Sequence, residues 1–271
     1  LRKKGFIAAA ASHNKPVLLH LHGSEVAMWY DEECTEGQRR DICQTFRLCS
    51  RIVVLSEEWR DFLINRRICD IEQVKVLHNA VNIPGENVTD YTSNTVLFMG
   101  RLDERKSPNV LLRAAARTLP AHPDARFVFG GDGDLRAYEK LADELGICDK
   151  CRFIGWAAGE KKDEAFQNCS IFCLPSKNEG MPMSVLEAMS YGLATIATPV
   201  GGVPQIINDG VDGFLFPVDD VTALTEKLDV LMSDNALKER IGKCGRACIE
   251  KSFSLDAYMD QIDTLYEIIR K

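Results

Sequence analysis

The chain has 271 residues, of which 45% are hydrophobic and 27% charged, with a net charge of −7 and an isoelectric point near 5.4. This length exceeds the usual size of a single hydrophobic core, so we expect two globular units. The acidic balance argues against nucleic acid as a partner, because binding to a phosphate backbone requires a basic face. No apolar run approaches the ~20 residues that a membrane-spanning helix needs.

The first part of the chain predicts alternating strands and helices. The expected strands cover residues 16–22, 51–55 and 74–77, with a helix over 38–49 and another after the second strand. The first strand ends at His22. Ser56 is a suitable N-cap for the second helix, with Glu57 and Glu58 in the first turn, where the helix dipole favours negative charge. The polar segment 84–94 predicts an interdomain linker.

From residue 95 onward the alternation becomes regular. The expected strands cover 95–100, 126–129, 151–154 and 171–174, and the expected helices begin at 107 and cover 135–145, 161–168 and 183–191. This rhythm is typical of a doubly wound parallel sheet, whose ligands bind at the carboxyl ends of the strands. Seven apolar residues at helical spacing predict a C-terminal helix with one buried face: Leu255, Tyr258, Met259, Ile262, Leu265, Tyr266 and Ile269.

Ten cysteines are present, without the spacing of a small disulfide-bonded domain. Cys148, Cys151, Cys169 and Cys173 could together be interpreted as a four-thiolate zinc site. Against this interpretation, Cys173 lies in an apolar strand that favours a small buried residue, and free cysteine is among the most buried residue types. We therefore expect reduced structural thiols and no bound metal.

Residues 100–106 form a charged segment directly after the strand that begins at residue 95. Arg101 offers a planar fork and Lys106 a point charge, and the two would neutralise a diphosphate. The alternative is an exposed cluster of charges without a ligand.

The segment 130–134, Gly-Gly-Asp-Gly-Asp, follows the next strand and has three interpretations. A dinucleotide-binding fingerprint fails, because Arg136 stands where the third glycine is required. Asp132 and Asp134 have the spacing of an Asp-x-Asp metal motif, which belongs to a different fold. The third interpretation, which we adopt, is a Gly-Asp-Gly turn, and we expect no essential metal.

The most informative stretch runs from 173 to 202. An apolar strand leads into a loop containing Gly180 and Pro182, and a short helix follows. Backbone N–H groups and the helix dipole make such a junction an anion site. Glu187, inside the helix, can accept two ribose hydroxyls, and Glu179, in the loop, can reach a second polyhydroxylated group. An anion between two acids that bind hydroxyls suggests a nucleotide-sugar.

This stretch resembles the signature of the retaining glycosyltransferases of family 4, which have the GT-B fold. The matching residues are Pro175, Ser176, Glu179, Gly180, Pro182, Glu187, Ala188 and Met189. The alternative is an ordinary strand–loop–helix unit with a solvated glutamate. The resemblance implies an α/β fold with two Rossmann-like doubly wound domains, and it suggests that the N-terminal one is incomplete, since the chain opens on Leu1.

The resemblance also implies domain boundaries and residue roles. The N-terminal domain and linker would cover 1–93, the donor-binding domain 94–253, and a crossover helix 254–271. The donor-binding residues would be Gly100, Arg101, Lys106, Gly131, Glu179, Gly180, Met181, Pro182, Met183 and Glu187, and the catalytic residues His22, Glu179, Arg101 and Lys106. Three positions depart from the family pattern, because Ser107, Asp134 and Gln205 replace its Gly, Pro and Glu.

The function implied by the resemblance is transfer of a hexose from a UDP- or GDP-sugar, with retention of anomeric configuration and without a cofactor. The acceptor would be a glycan or a lipid-linked group. The expected location is the cytoplasm, with peripheral membrane contact through the N-terminal domain as a further option. Two alternatives stay open: a nucleotide-sugar 2-epimerase on the same fold, and a donor-binding protein without turnover.

Overall fold

A computed structural model describes residues 4–22, 30–31, 33–86 and 89–270. Contacts divide the chain into two compact units. The first contains the residues up to Ala80 together with those from Leu255 onward, and the second runs from Val81 to Ser254. Each unit is built on a parallel sheet. No helix in the described part of the chain is both long and apolar enough to cross a bilayer.

The first unit has a three-stranded sheet in the order β1-β2-β3. Its strands are β1 (Leu18–His20), β2 (Arg51–Val54) and β3 (Val74–Val76), and its helices are α1 (Lys4–Ser12), α2 (Glu36–Arg47), α3 (Glu57–Asn65) and α11 (Leu255–Arg270). Phe46 and Ile52 are fully buried in the core. Ser56 caps α3 as predicted, because its Oγ accepts the N–H of Trp59 at 3.3 Å.

Strand β1 is shorter than the predicted 16–22. Pro16 has no N–H to donate, and the N–H of Val17 donates to Ser50 Oγ at 3.2 Å instead of to a strand carbonyl. At the other end, His22 lies beyond the strand and is exposed. Residues 23–25, which directly follow the predicted end of this strand, lie outside the described residues.

Helix α11 buries only part of its predicted apolar stripe. Ile262 and Leu265 are buried against Val53 and Leu77 of the first unit. By contrast, Leu255, Met259 and Tyr266 are 41%, 51% and 50% exposed, so the expectation of one buried face was wrong for them. The physical reason is that strands of three and four residues offer apolar surface for only the middle of a sixteen-residue helix.

The second unit has a six-stranded parallel sheet in the order β6-β5-β4-β7-β8-β9. Its strands are β4 (Thr95–Met99), β5 (Arg126–Gly130), β6 (Cys151–Gly155), β7 (Ile171–Leu174), β8 (Ala194–Ala197) and β9 (Phe214–Leu215). Its helices are α4 (Pro108–Thr118), α5 (Leu135–Glu144), α6 (Glu160–Gln167), α7 (Met183–Ser190), α8 (Val203–Ile206), α9 (Val221–Ser233) and α10 (Asn235–Ser252). The bounds from β4 to α7 confirm the alternation predicted for residues 95–191, whereas the elements after α7 were not predicted individually.

The strand order creates a switch point between β4 and β7. The chain moves outward from β4 through β5 to β6, and it then returns to the opposite side of β4 as β7. The connections on the two sides of β4 therefore diverge, which leaves a crevice at the carboxyl ends of these two central strands. In open α/β sheets this crevice is where ligands bind.

All ten cysteines are free thiols. Cys173 is fully buried in β7, as its apolar surroundings predicted, and burial raises the pKa of its thiol. Burial also raises the pKa values of Cys151 and Cys169 to about 12. Within the described residues, no three His, Cys, Asp or Glu side chains cluster in a way that could hold a metal ion.

The segment predicted as a linker packs against the second unit where it is described. Tyr91 donates its hydroxyl hydrogen to the carbonyl of Gly192 at 2.8 Å. The fully buried Lys238 of α10 donates to the Ser93 carbonyl at 2.7 Å and to Asn94 Oδ1 at 2.8 Å. These bonds attach the chain to the sheet immediately before β4 begins.

Candidate active site

Lys106 and Glu179 form an ion pair at the switch point. Lys106 lies in the loop after β4 and Glu179 in the loop after β7, and Lys106 Nζ donates to Glu179 Oε1 at 2.5 Å. The two side chains are only 13% and 5% exposed. The structure therefore brings together a cation and an acid that the sequence assigned to different parts of one ligand.

The loop that carries Lys106 is stabilised by its own polar side chains. Asp103 Oδ1 accepts the N–H of Lys106 at 2.9 Å, and Ser107 Oγ donates to the carbonyl of Glu104 at 2.9 Å. Ser107 has a left-handed backbone (φ +50°) and precedes Pro108, the first residue of α4. Ser107 therefore occupies the predicted N-cap position, but its hydroxyl does not cap the helix, because it bonds back into the loop.

The glycine segment after β5 lies against the loop after β4. Gly131 has φ +140°, and a Cβ atom there would lie 1.9 Å from the carbonyl oxygen of Gly100. The N–H of Leu102 donates to the Asp132 carbonyl at 2.6 Å. Asp134 Oδ1 accepts the N–H of Ala137 and so caps α5. Glycine is required here for close backbone approach.

The loop that carries Glu179 is supported from β8. A Cβ atom on Gly201, which has φ +57°, would lie 2.0 Å from the carbonyl oxygen of Glu179. The N–H of Gly202 donates to the Gly180 carbonyl at 2.6 Å, and Thr198 Oγ1 donates to the Ser176 carbonyl at 2.5 Å. The segment around Gly201 and Gly202 thus sets the position of the Glu179 backbone.

Helix α7 begins at Met183 without a side-chain cap, since Pro182 occupies the N-cap position. The first N–H groups of an α-helix have no partner within the helix, and together with the dipole they attract anions. Met181 is buried and Met183 is 41% exposed. The helix start that was predicted as an anion cradle therefore adjoins the Lys106–Glu179 pair through the loop at Gly180.

Glu187 lies in the second turn of α7, inside the helix as predicted. Its Oε1 accepts a hydrogen bond from Lys162 Nζ of α6 at 2.8 Å, and the two side chains are 22% and 32% exposed. Sequence reasoning missed Lys162, because two adjacent lysines at a helix start are indistinguishable from an ordinary solvated face. Only the packing of α6 beside α7 identifies it.

Arg101 is not part of this cluster. Its side chain is 63% exposed, and its Nε lies 3.7 Å from Asp103 Oδ2. An exposed guanidinium on the loop after β4 is free to change rotamer, whereas Lys106 on the same loop is already held in place.

The predicted catalytic His22 belongs to the first unit. It is exposed, and its ring lies 4.1 Å from that of His20, centroid to centroid. Burial, assisted by the charge that His22 would carry, lowers the pKa of His20 to about 4. His20 is half-buried at the last position of β1, which ends two residues earlier than predicted.

Comparison with protein families decides the identity. The family model described as "Glycosyl transferases group 1" matches residues 82–247, which is more than half of the chain. The chain belongs to this family. The match contains the loops after β4, β5, β7 and β8, so the whole cluster around Lys106 and Glu179 lies within the group 1 glycosyltransferase domain.

Individual relatives agree with this assignment. An uncharacterized glycosyltransferase of Methanocaldococcus jannaschii is 24% identical over 97% of this chain and 72% of its own length. A D-inositol 3-phosphate glycosyltransferase of Streptomyces avermitilis is 30% identical over 74% of this chain. The alignment covers only 48% of that relative's length, so the chain spans about half of it.

Solved structures of glycosyltransferases share the fold. Anabaena HepE in complex with UDP superimposes with a TM-score of 0.85 at 19% identity, over 97% of this chain and 75% of that one. Sucrose-phosphate synthase of Thermosynechococcus elongatus gives a TM-score of 0.81 at 21% identity, over the same shares of the two chains. The predicted fold class, α/β with parallel sheets and the GT-B architecture, is confirmed.

Proposed function

We propose that this protein is a retaining hexosyltransferase of family 4 type that uses a nucleotide-diphosphate-sugar. The Lys106–Glu179 pair carries the proposal. A nearly buried cation–acid pair lies in the crevice of a doubly wound sheet, beside the uncapped start of α7. A ligand with a negative diphosphate next to a polyhydroxylated sugar would satisfy all three groups.

Donor binding would begin with an exchange of partners at Lys106. The diphosphate competes with Glu179 for the Lys106 ammonium, and the start of α7 and the guanidinium of Arg101 supply further positive charge. These groups would also stabilise the departing nucleoside diphosphate, which is where negative charge develops during transfer. We therefore propose that no metal and no cofactor are required.

The exchange would release Glu179 for the sugar. Once Lys106 binds phosphate, the Glu179 carboxylate has accepting oxygens for the sugar hydroxyls, and Glu187 has the corresponding role for the ribose. The backbone around Gly180 and Met181 would complete the cradle. In this division of roles Glu187 contributes to the binding of every ribonucleotide, whereas Glu179 contributes to binding only when a sugar is attached to the nucleotide.

We propose that the anomeric configuration of the sugar is retained because transfer occurs on one face of the sugar. The bond from the anomeric carbon to the phosphate oxygen breaks, and the acceptor oxygen attacks from the side that the phosphate leaves. The acceptor proton goes to the departing phosphate oxygen, so no covalent enzyme intermediate forms. His22 of the first unit is proposed to face the transferred sugar.

The donor is proposed to be UDP-linked, with GDP as the alternative base. This choice is supported by the Anabaena HepE structures, which contain UDP and UDP-glucose at TM-scores of 0.85 and 0.81. The acceptor is proposed to be a glycan or a lipid-linked group. In support, a structure of S. aureus TarM that matches with a TM-score of 0.82 was solved in complex with Fondaparinux, alpha-GlcNAc-glycerol and UDP.

Product analysis tests the proposal against its alternatives. The protein is incubated with UDP-glucose or GDP-mannose and a panel of glycan and glycolipid acceptors, and the anomeric configuration of any product is assigned by NMR. Acceptor-dependent formation of an α-linked product from these α-linked donors, unchanged by EDTA, supports the proposal. An epimerised sugar without acceptor indicates a 2-epimerase. Donor binding by calorimetry with neither product indicates a binding protein.

A further inference from the structure

Lys162 and Glu187 form a second ion pair across two helices. Lys162 is the third residue of α6 and Glu187 the fifth of α7, and the Nζ–Oε1 distance is 2.8 Å. Ion pairs one turn apart on a single helix, such as Lys243 and Glu239, form wherever that helix folds. The contact between Lys162 and Glu187 forms only if α6 and α7 pack in a defined way.

That packing is reinforced next to the pair. The Tyr191 hydroxyl, just after α7, donates to Asp163 Oδ1 of α6 at 2.7 Å. The Tyr191 ring also stacks on Phe166, with centroids 5.1 Å apart. Asp163 and Phe166 lie one and four residues after Lys162, so these contacts hold the segment that carries the lysine beside the helix that carries Glu187.

The contact constrains one carboxylate oxygen and leaves the other open. Lys162 donates to Oε1, and among the described residues no donor contacts Oε2 of Glu187. A glutamate has three side-chain torsions, and fixing such a rotamer-rich side chain on ligand binding has an entropic cost. A carboxylate already held through Oε1 has lost part of this freedom before the ligand arrives.

We infer that Lys162 is a positioning residue that orients the Glu187 carboxylate for the ribose diol of the donor. The inference rests on the proposed nucleotide-sugar function and adds a residue to it. Lys162 acts through Glu187 and does not itself contact the sugar or the phosphates. Its contribution is therefore specific to ligands that carry ribose hydroxyls.

Lys162→Met provides the test, with UDP and 2′,3′-dideoxy-UDP as probes in calorimetry. We expect the preference for UDP over the dideoxy compound to fall by about five- to tenfold, because a free Glu187 side chain must be ordered at each binding event. Affinity for the dideoxy compound should stay within about twofold of the parent value. Lys162→Arg, which keeps a donor, should restore most of the preference.

Lys243→Met is the matched control, since it removes a surface lysine–glutamate pair of α10 and should leave both affinities unchanged. Thermal unfolding of each variant verifies that it folds. The double variant with Glu187→Ala should lose no more preference than Glu187→Ala alone, because Lys162 acts only through that carboxylate.

The outcomes separate the inference from the function on which it rests. If Glu187→Ala keeps the ribose preference, the proposed role of Glu187 is itself wrong. If Glu187→Ala loses the preference while Lys162→Met keeps it, only the inference is overturned. Equal losses of affinity for UDP and the dideoxy compound in Lys162→Met would also overturn the inference. Such losses would indicate that Lys162 contacts the phosphates directly or has a general structural role.

Discussion

Lys106 and Glu179, from loops that follow two neighbouring central strands, neutralise each other in the free protein at a distance of 2.5 Å. Each side chain is nearly buried, so water solvates neither charge fully. A ligand that takes Lys106 must therefore leave Glu179 with new hydrogen-bond donors. In the proposed function a phosphate followed by a sugar would do both, so the pair would favour the complete donor over a nucleotide alone.

Glu179→Gln and Lys106→Met should act in opposite directions on UDP binding. The glutamine releases the ammonium, so UDP should bind as well as in the parent or better, while UDP-glucose binding and transfer should fall. Loss of the lysine should weaken UDP binding by about 1.5–3 kcal/mol, as for a charge-assisted hydrogen bond. Calorimetry with UDP and with UDP-glucose measures the affinities of both variants. Equal weakening of UDP binding by the two substitutions would contradict the exchange of partners.

Arg101→Ala should weaken UDP binding but leave uridine binding unchanged, because only the diphosphate needs the guanidinium. The side chain is 63% exposed, so its contribution should shrink as salt is raised from about 50 to 500 mM, over which the Debye length falls severalfold. The nearly buried Lys106 should be much less sensitive to salt. Titrations at the two salt concentrations test the difference, and a salt-independent effect of Arg101 would place it inside the site.

Gly201→Ala and Gly210→Ala form a matched pair. Both glycines have a left-handed backbone, with φ +57° and +75°, so the backbone conformation alone should make alanine cost about 1 kcal/mol of the free energy of unfolding at either position, and the overlap at Gly201 should add to this. Only at Gly201 does the added Cβ meet backbone, 2.0 Å from the Glu179 carbonyl, whereas Gly210 has no neighbour within 4 Å. Gly201→Ala should therefore also impair UDP-glucose binding. Equal effects of the two substitutions on binding would show that the Glu179 loop does not depend on Gly201.

Lys238 predicts a pH dependence of stability. Burial lowers its pKa from 10.5 to about 8, against the opposing charges of Asp90 and Asp124. Between these two values the unfolded chain binds more protons at this residue, so its contribution makes the free energy of unfolding rise with pH. Below pH 8 the lysine is charged in both states, and the burial cost is present in full.

The measurement is urea unfolding of the parent and of Lys238→Met from pH 7.5 to 10. Groups common to both proteins cancel in the difference between the two free energies of unfolding. Between pH 7.5 and 10 this difference should shift in favour of the parent by on the order of 2–3 kcal/mol. The variant also loses the hydrogen bonds that Lys238 donates to the Ser93 carbonyl and to Asn94 Oδ1, and this loss adds only a constant offset. A difference that is independent of pH would mean that Lys238 titrates normally in the folded protein.

The amino-acid sequence by itself determined the elements and their order between residues 95 and 191 of the second unit. The apolar run Ile171–Leu174, bounded by Pro175, predicted its strand at the observed residues, and the helix after Pro182 began where expected. These signals are local, since strand, loop and helix each depend on hydrophobic period and on the backbone limits of proline and glycine. The glutamate motif identified the family for the same reason, because its residues lie within one short segment.

Tertiary structure decided which of these residues meet. Lys106 and Glu179 are 73 residues apart, and Lys162 and Glu187 are 25 apart. Their contacts exist because β7 returns to the side of β4 opposite β5 and because α6 packs beside α7. Strand order and helix packing depend on long-range burial that no local pattern encodes. The sequence therefore predicted which groups the proposed donor would need, and only the fold showed that Glu179 and Glu187 are each paired with a lysine.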